Sequence, residues 1–538
     1  MAAWTSHDAP ASRAMLQGSA TPCRSGEGHR RRAAGPSSLS FLPPRRCTTE
    51  VTTDRPLFFH ARRPRVAVIG GGISGLATAY FLSRDTQGHS PRVSVIEAAG
   101  RLGGKVFTRQ VGELAVDTGP DSLPVRPVLM SLLAELGLAD AIVPVAAKGA
   151  YVWSHGKLRR LPPGTATGVP DRLVPLLRSR LLSPWGILRA GLDLVLPRRS
   201  LPADASIADV LRPRFGPQLF ERLVEPLLGG MYAGRADLLS ARSTVPDLEA
   251  LARANRSVYL ALRRRRRDAR TTGAAGHTAP SLVTLDGGLG RLIAALTDAL
   301  TDADLRVSTP VTALQPAPDG FRLDLGEGSI RTILDADAVV FATPAFATAD
   351  LIESLAPAAA AVLRDIPYLD VATITLTYRA RDVGHLLDAT GFLVPPVEGR
   401  LLVGCSWLSA KWPHLAPASV VVLRAIVGRP GDRSWAALDD DTLIRRVRGE
   451  LADAMGLTAA PRHTHLQRWP RALPQYTVGH CGRLDRLDAA LGRVPGLHVT
   501  GAAYRGAGVV GCIAQAQECA AKVLAGLAAS EPARVALS

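Results

Sequence analysis

Apolar positions follow two rhythms along this chain. Val66-Ala67-Val68-Ile69 is a short unbroken apolar run, as expected of a strand buried on both faces, and Val93 to Glu97 is a second. Between them, Ile73 to Ser83 carries apolar residues at helical spacing. Strand, helix and strand make a βαβ unit, which implies parallel pairing and a right-handed crossover. From Val128 to about Arg270 the pattern is mostly helical, broken by Pro and Gly. Leu369 to Arg379 then alternates like a strand, and Leu401 to Ser406 and Val420 to Val427 read as two more. Leu497 to Gly526 returns to strand, Gly-rich turn and helix, the helix running from about Val509 to Leu524. Parts of one α/β domain therefore sit at both ends of the chain, with other material between them.

A chain of 538 residues is long enough for two or three closely packed domains. With 47% apolar and 21% charged residues it reads as globular. No run of about 18 uncharged apolar residues occurs, so no spanning helix is predicted, while peripheral membrane contact stays open. The formal charge of +17 is concentrated: residues 1–63 hold ten Arg against four acids, and Arg263 to Arg267 add five charges, read here as a solvated or mobile loop. No aromatics interleave with these runs, which argues against a nucleic-acid partner. Residues 1–62 are rich in Ser, Pro, Gly, Ala and Arg and are expected to be a disordered basic tail. Such a composition suits a transit peptide, but a start codon assigned too early is the favoured reading. The six Cys show no C-x-x-C pair and no metal-ligand spacing, which predicts a reducing, cytoplasmic setting and no metal.

Gly70-Gly71-Gly72-Ile73-Ser74-Gly75 fits G-x-G-x-x-G directly after a strand and at the start of a helix. Gly70 permits the tight turn, Gly72 lets backbone approach a pyrophosphate, and Gly75 lets helix and strand pack closely. The helix N-terminus supplies oriented N–H groups for the anion. Glu97 ends the second strand, 22 residues beyond Gly75, where a carboxylate can accept from both ribose hydroxyls. The next segment, Gly100-Arg101-Leu102-Gly103-Gly104-Lys105, lets the chain pass beside the pyrophosphate, with Arg101 or Lys105 as its cation. That favours FAD over NAD, and no second glycine fingerprint offers an NAD(P)H site. Dioxygen or a quinone is the expected electron acceptor.

At this point the sequence resembles the flavin amine-oxidase superfamily, and within it the oxygen-dependent porphyrinogen oxidases, over nearly all of Arg65 to Leu527. Five blocks carry the resemblance. They are Asp117-Thr118-Gly119-Pro120-Asp121-Ser122; Glu225-Pro226-Leu227 with Met231-Tyr232-Ala233-Gly234; and Gly391-Phe392-Leu393-Val394-Pro395. The fourth is Lys411-Trp412-Pro413-His414. The fifth runs from Arg468-Trp469-Pro470 through Pro474-Gln475-Tyr476 and Val478-Gly479-His480 to Gly501-Ala502-Ala503-Tyr504-Arg505-Gly506-Ala507-Gly508. The resemblance implies an α/β fold: a Rossmann-type FAD-binding domain assembled from residues 63–127, 281–347 and 468–530. A mostly helical insertion (128–280), a mixed-sheet substrate domain (348–467) and a tail (531–538) complete it. It implies FAD contacts at Gly70 to Gly75, Glu97, Ala98, Lys105, Gly119, Pro120, Asp121, Ser122, Val311, Trp469, Ala507, Gly508 and Val509. A Gly-rich turn entering a helix at Val509 would also aim N–H groups at the flavin's pyrimidine end, where negative charge gathers on reduction. No Cys stands where amine oxidases attach flavin covalently, so a non-covalent cofactor is expected.

The resemblance further implies a porphyrinogen losing six electrons, in three hydride transfers to flavin N5, each followed by reoxidation with O2 to H2O2. The flavin carries the chemistry, so no catalytic side chain is named. Phe392 is expected to stack on a pyrrole with Leu376 facing it, and Arg126 to meet a propionate. For Phe392 and Leu376 the plainer reading is core packing on strands; for Arg126 it is a surface position. His414 and His480 are read as structural hydrogen-bonders. Only five of 64 basic residues are Lys, the mark of a GC-rich genome such as an actinobacterium's. The actinobacterial enzymes that this sequence resembles oxidise coproporphyrinogen III, so the resemblance implies that substrate in preference to protoporphyrinogen IX. An amine oxidase or carotenoid desaturase, and a non-catalytic flavin-binding module, are the weaker alternatives. No oligomeric state is assigned.

Overall fold

The computed structural model describes residues 62–535 apart from 85–89, 167, 171, 233, 272–281 and 327–330. The tail expected at 1–62 and Ala233 of the second block therefore fall, Arg62 excepted, outside the described residues.

Five parallel strands form the first sheet, in the spatial order 304–306, 92–96, 65–69, 338–341, 497–499. Strand order reverses at Arg65–Ile69, and the Gly70–Gly75 loop leaves its carboxyl end, where ligands of such sheets sit. Alternate residues explain the unbroken apolar runs. Val66, Val68, Val93 and Val95 pack with helices 73–83, 127–135 and 290–298 and with the last helix. Ala67, Ile69, Ile96 and Phe341 pack with helices 345–352, 357–364 and 480–491 on the opposite face. The last helix runs Val509–Val535, about three turns beyond the predicted Leu524 and through most of the expected tail.

The second sheet has seven strands, ordered 463–474, 368–379, 420–427, 402–407, 391–393, 151–154, 157–160. It is antiparallel except where Gly391–Leu393 runs parallel to Tyr151–Ser154. Those two short strands at 151–160 were expected to belong to a mostly helical stretch; four residues each give too little alternation to announce a strand. Helix Asp440–Met455 covers one face through Leu443, Val447, Leu451 and Met455. The other face meets the hairpin of Thr108–Val111 and Leu114–Asp117 through Val422 and Trp412.

Helices fill most of 173–271. The Arg263 to Arg267 run lies inside helix Val258–Thr271 and is not a loop; Arg is a good helix former, and this run turns mostly to solvent. Arg265 reaches Asp247 at 3.1 Å. Among the described residues no helix is long and apolar enough to cross a membrane.

Candidate functional site

The site begins with glycines that differ in what constrains them. A Cβ on Gly75 would stand 1.9 Å from the Gly70 carbonyl oxygen, so strand and helix touch there and only Gly fits. Gly72 has ordinary extended backbone (φ −74°, ψ 179°), and its Cβ would meet only Gly104 Cα, at 3.9 Å. No packing among the described residues requires Gly72 to lack a side chain; an anion approaching the helix N-terminus would. The second glycine pair lies against the first: the Gly103 N–H donates to the Gly71 carbonyl (2.8 Å), with Gly103 and Gly104 at φ +98° and +56°.

Glu97 anchors this corner, accepting from the amides of Gly71 (2.7 Å) and Ala99 (2.8 Å), one on each oxygen. Ala98 lies between these contacts. Ser308 and Thr309 donate to the carbonyls of Ala99 and Glu97, which brings Val311 to the same end of the sheet. Of the two candidate cations, Arg101 donates to the loop's own carbonyls of Leu102 (3.2 Å) and Gly104 (2.8 Å) and lies over the Phe107 ring. Lys105 is exposed by area, yet enough protein surrounds its ammonium for desolvation to lower its pKa, with Cys512 of the last helix as its electrostatic neighbour.

The turn 119–122 crosses directly over Lys105. A Cβ on Gly119 would stand 1.9 Å from the Lys105 carbonyl oxygen, with the Trp469 ring next to it at 3.9 Å. The Trp469 indole N–H points to the Thr118 carbonyl (3.4 Å), which also accepts from Thr373 (3.0 Å). Asp121, which follows Pro120, turns its carboxylate to buried donors of the segments 411–412 and 420–427. Its Oδ2 accepts from Lys411 Nζ (2.9 Å) and the Trp412 indole (3.1 Å), and its Oδ1 from Arg424 (2.6 Å). Burial alone would raise its pKa, but Arg424 and Lys411 hold the carboxyl far below the usual carboxylate range. Arg424 also donates to the carbonyls of Asp117 and Gly119, and Lys411 to Ser122 Oγ. The turn is thus bolted to strand Val420–Val427 and to the segment 411–412 by three buried donors that sequence reasoning gave no role. Two signals were available: Arg424 interrupts an apolar strand, and Lys411 is one of five lysines.

The chain's far end returns to the first glycine loop. The site a Cβ would take on Gly501 lies 3.6 Å from Ser74 Oγ. Gly508 (φ +85°) turns the chain into the last helix, and Ala507 and Gly508 are exposed. The amides that open this helix have no partner within it.

In the second sheet the strands fall differently from expectation. Phe392 (2% exposed) and Leu376 (0%) pack with Trp407, Leu423 and the Asp440–Met455 helix, in the core of the sheet's covered face. The plainer reading of both, core packing, is the one the structure supports. Their neighbours point the other way: Leu393 lies where a Cβ on Gly230 would touch it, and Thr373 bonds the turn at Thr118. A cavity of about 330 Å³ opens between helix Glu225–Tyr232 and the end of strand Val420–Val427, with Glu225, Gly229, Val403 and Arg429 in its walls. Arg126 is half-buried before helix Pro127–Glu135, and its guanidinium makes one long contact, 3.4 Å, to the adjacent Val125 carbonyl. It has no carboxylate partner among the described residues. His480 is buried, with Nε2 3.1 Å from the Tyr504 carbonyl.

The family model for flavin containing amine oxidoreductases matches residues 73–524. A coproporphyrinogen III oxidase of Bacillus subtilis is 32% identical over 84% of this chain and 96% of its own length. One of Propionibacterium freudenreichii is 33% identical over 90% of this chain and 97% of its own. The crystal structure of an Exiguobacterium sp. 255-15 protein, provisionally named a protoporphyrinogen oxidase, superposes with a TM-score of 0.75 at 30% identity, over 86% of this chain and 98% of its own. The chain belongs to the flavin containing amine oxidoreductase family, beside members named coproporphyrinogen III oxidase.

Proposed function

We propose that this chain binds FAD non-covalently and oxidises coproporphyrinogen III to coproporphyrin III, consuming three O2 and yielding three H2O2. The observation that supports the reading is that Gly119 lies against Lys105 and Gly501 against Ser74, which brings the turn 119–122 and the loop before the last helix to the first glycine loop, in a chain whose relatives bear that enzyme's name. Gly72 and Lys105 would face the pyrophosphate, Glu97 the ribose, Val311 the adenine end, and Trp469 with Ala507 to Val509 the flavin. Bound flavin supplies hydride acceptance and the return of electrons to dioxygen. The protein's part is to orient the macrocycle and to keep the cleft dry. Arg126, a cation with no acid beside it among the described residues, is the group proposed to take a propionate. The domain division given above is proposed with it.

Protoporphyrinogen IX is the second reading, favoured by the name of the Exiguobacterium protein. Aerobic turnover of both porphyrinogens, followed by porphyrin fluorescence with H2O2 counted per product, decides between them; turnover of neither refutes both.

Peripheral membrane contact is also part of the proposal. Val174, Leu177, Trp185 (77% exposed), Leu188, Leu192 and Val195 form an exposed apolar group within 22 residues. Exposed Arg172, Arg178, Arg180, Arg198 and Arg199 flank it, while Asp193 is buried against Arg214 at 3.2 Å. An apolar face ringed by Arg suits an anionic bilayer surface.

A further inference from the structure

Tyr476 lies between the loop 501–508 and Ser240. Its phenolic oxygen donates to the Ala502 carbonyl (2.8 Å) and accepts from the Gly506 N–H (3.1 Å). One oxygen therefore ties together two points of the loop 501–508. The ring is buried and stacks on His480, with centroids 4.1 Å apart and planes 13° apart, and His480 Nε2 meets the same loop at the Tyr504 carbonyl. From the opposite side Gln515, also buried, accepts from the Arg505 N–H (2.9 Å) and donates to the carbonyls of Gly506 (2.9 Å) and Gly511 (3.2 Å). Arg505 and Gly506 are thus held from both sides. The next amides, from Ala507 into the helix, are the ones left to face a ligand. The backbone around Tyr476 is tied to the substrate side: its carbonyl accepts from the Ser240 N–H (2.8 Å), and the Gln475 side chain donates to the Tyr232 carbonyl (3.2 Å).

We infer that Tyr476 is a positioning residue for the flavin: by pinning Ala502 and Gly506 it aims the amides of Ala507 to Val509 at the developing anion. This rests on the flavin placement proposed above. Hydrogen-bond donors stabilise a reduced anion only while correctly aimed. Loosening the pin therefore weakens binding of reduced flavin more than binding of oxidised flavin.

The test is Tyr476→Phe, which keeps the ring and its stack on His480 and removes both hydrogen bonds. In FAD-loaded protein the ratio of reduced to oxidised flavin affinity should fall about tenfold, which lowers the two-electron midpoint potential by about 30 mV. The flavin absorption bands should shift, and porphyrinogen KM should stay unchanged. An unaltered potential and spectrum would overturn the inference. If Tyr476→Phe does not yield folded protein, Gln515→Leu removes the opposite pin and must move the potential in the same direction; no movement there overturns it equally. Wild-type protein that takes up no FAD at all would instead refute the flavin placement itself.

Discussion

Asp121 and Arg424 are 303 residues apart in the chain and 2.6 Å apart in space. Between them they fix the position of the 119–122 turn against the second sheet, with Lys411 and Trp412 completing the cage. Removing one member of a buried ionic group leaves the others uncompensated, which typically costs about 3–5 kcal/mol. Asp121→Asn should therefore lower the melting temperature sharply and abolish flavin retention. A variant that melts like wild type would show that the cage is dispensable. Because this carboxyl's folded pKa is depressed, its stabilisation is present above the ordinary carboxylate pKa. It is lost only as pH falls through the lower folded value.

Asp117, four residues earlier, titrates in the opposite sense. Burial pushes it up to about 6, against the pull of hydrogen bonds from Thr108 and the Leu289 amide. Its folded pKa lies above the unfolded one, so the associated stability is present below about pH 4 and lost as pH rises through 6. The wild-type protein should lose on the order of 1–3 kcal/mol between pH 4 and 7 from this group. Asp117→Asn should flatten that slope in denaturant titrations; an unchanged slope assigns the titration elsewhere.

Gly72 and Gly75 separate fold from cofactor. Gly75→Ala places a methyl 1.9 Å from the Gly70 oxygen and should fail to give stable protein. Gly72→Ala meets no protein atom closer than 3.9 Å, so the apo-protein should melt as wild type while FAD affinity drops at least tenfold. Equal FAD affinity in Gly72→Ala, measured by fluorescence quenching, would move the pyrophosphate elsewhere.

Arg126→Ala should raise porphyrinogen KM roughly ten- to a hundredfold with little change in kcat, the expected loss of one charge-assisted contact. A KM equal to wild type returns Arg126 to an ordinary surface role.

Trp185→Glu should abolish cosedimentation with phosphatidylglycerol vesicles without changing turnover of dispersed substrate. Wild-type protein that leaves such vesicles unbound would remove the membrane reading.

Much of this was legible because local patterns and tertiary needs coincide. The βαβ unit, the glycine fingerprint and Glu97 announce themselves, since each depends on neighbours in sequence. Strand parity was not legible. In strands Tyr368–Arg379 and Gly391–Leu393 both faces are buried, so nothing in the alternation says which face is which, and Leu376 and Phe392 lie on the face that packs against helix Asp440–Met455. Partners of Asp121 were hidden for another reason. Their pairing exists only after strand Val420–Val427 is laid in register against Tyr368–Arg379. Arg101 looked like a phosphate ligand by type and position; its donors instead hold the loop's carbonyls, a choice set by geometry a sequence does not display.

The meeting of Ser74 with Gly501 has a consequence in time. A ribosome finishes the Gly70–Gly75 loop more than 430 residues before it reaches Ala507. At about 5–20 residues per second that is a delay of roughly 20–90 seconds. Throughout this interval the nascent chain offers only half of the cradle proposed for FAD, one that can hold no dinucleotide from both sides, so loading should wait until translation is nearly over. A ribosome stalled anywhere in the long middle would leave an open sheet edge for chaperones to guard, and no yellow colour to mark it.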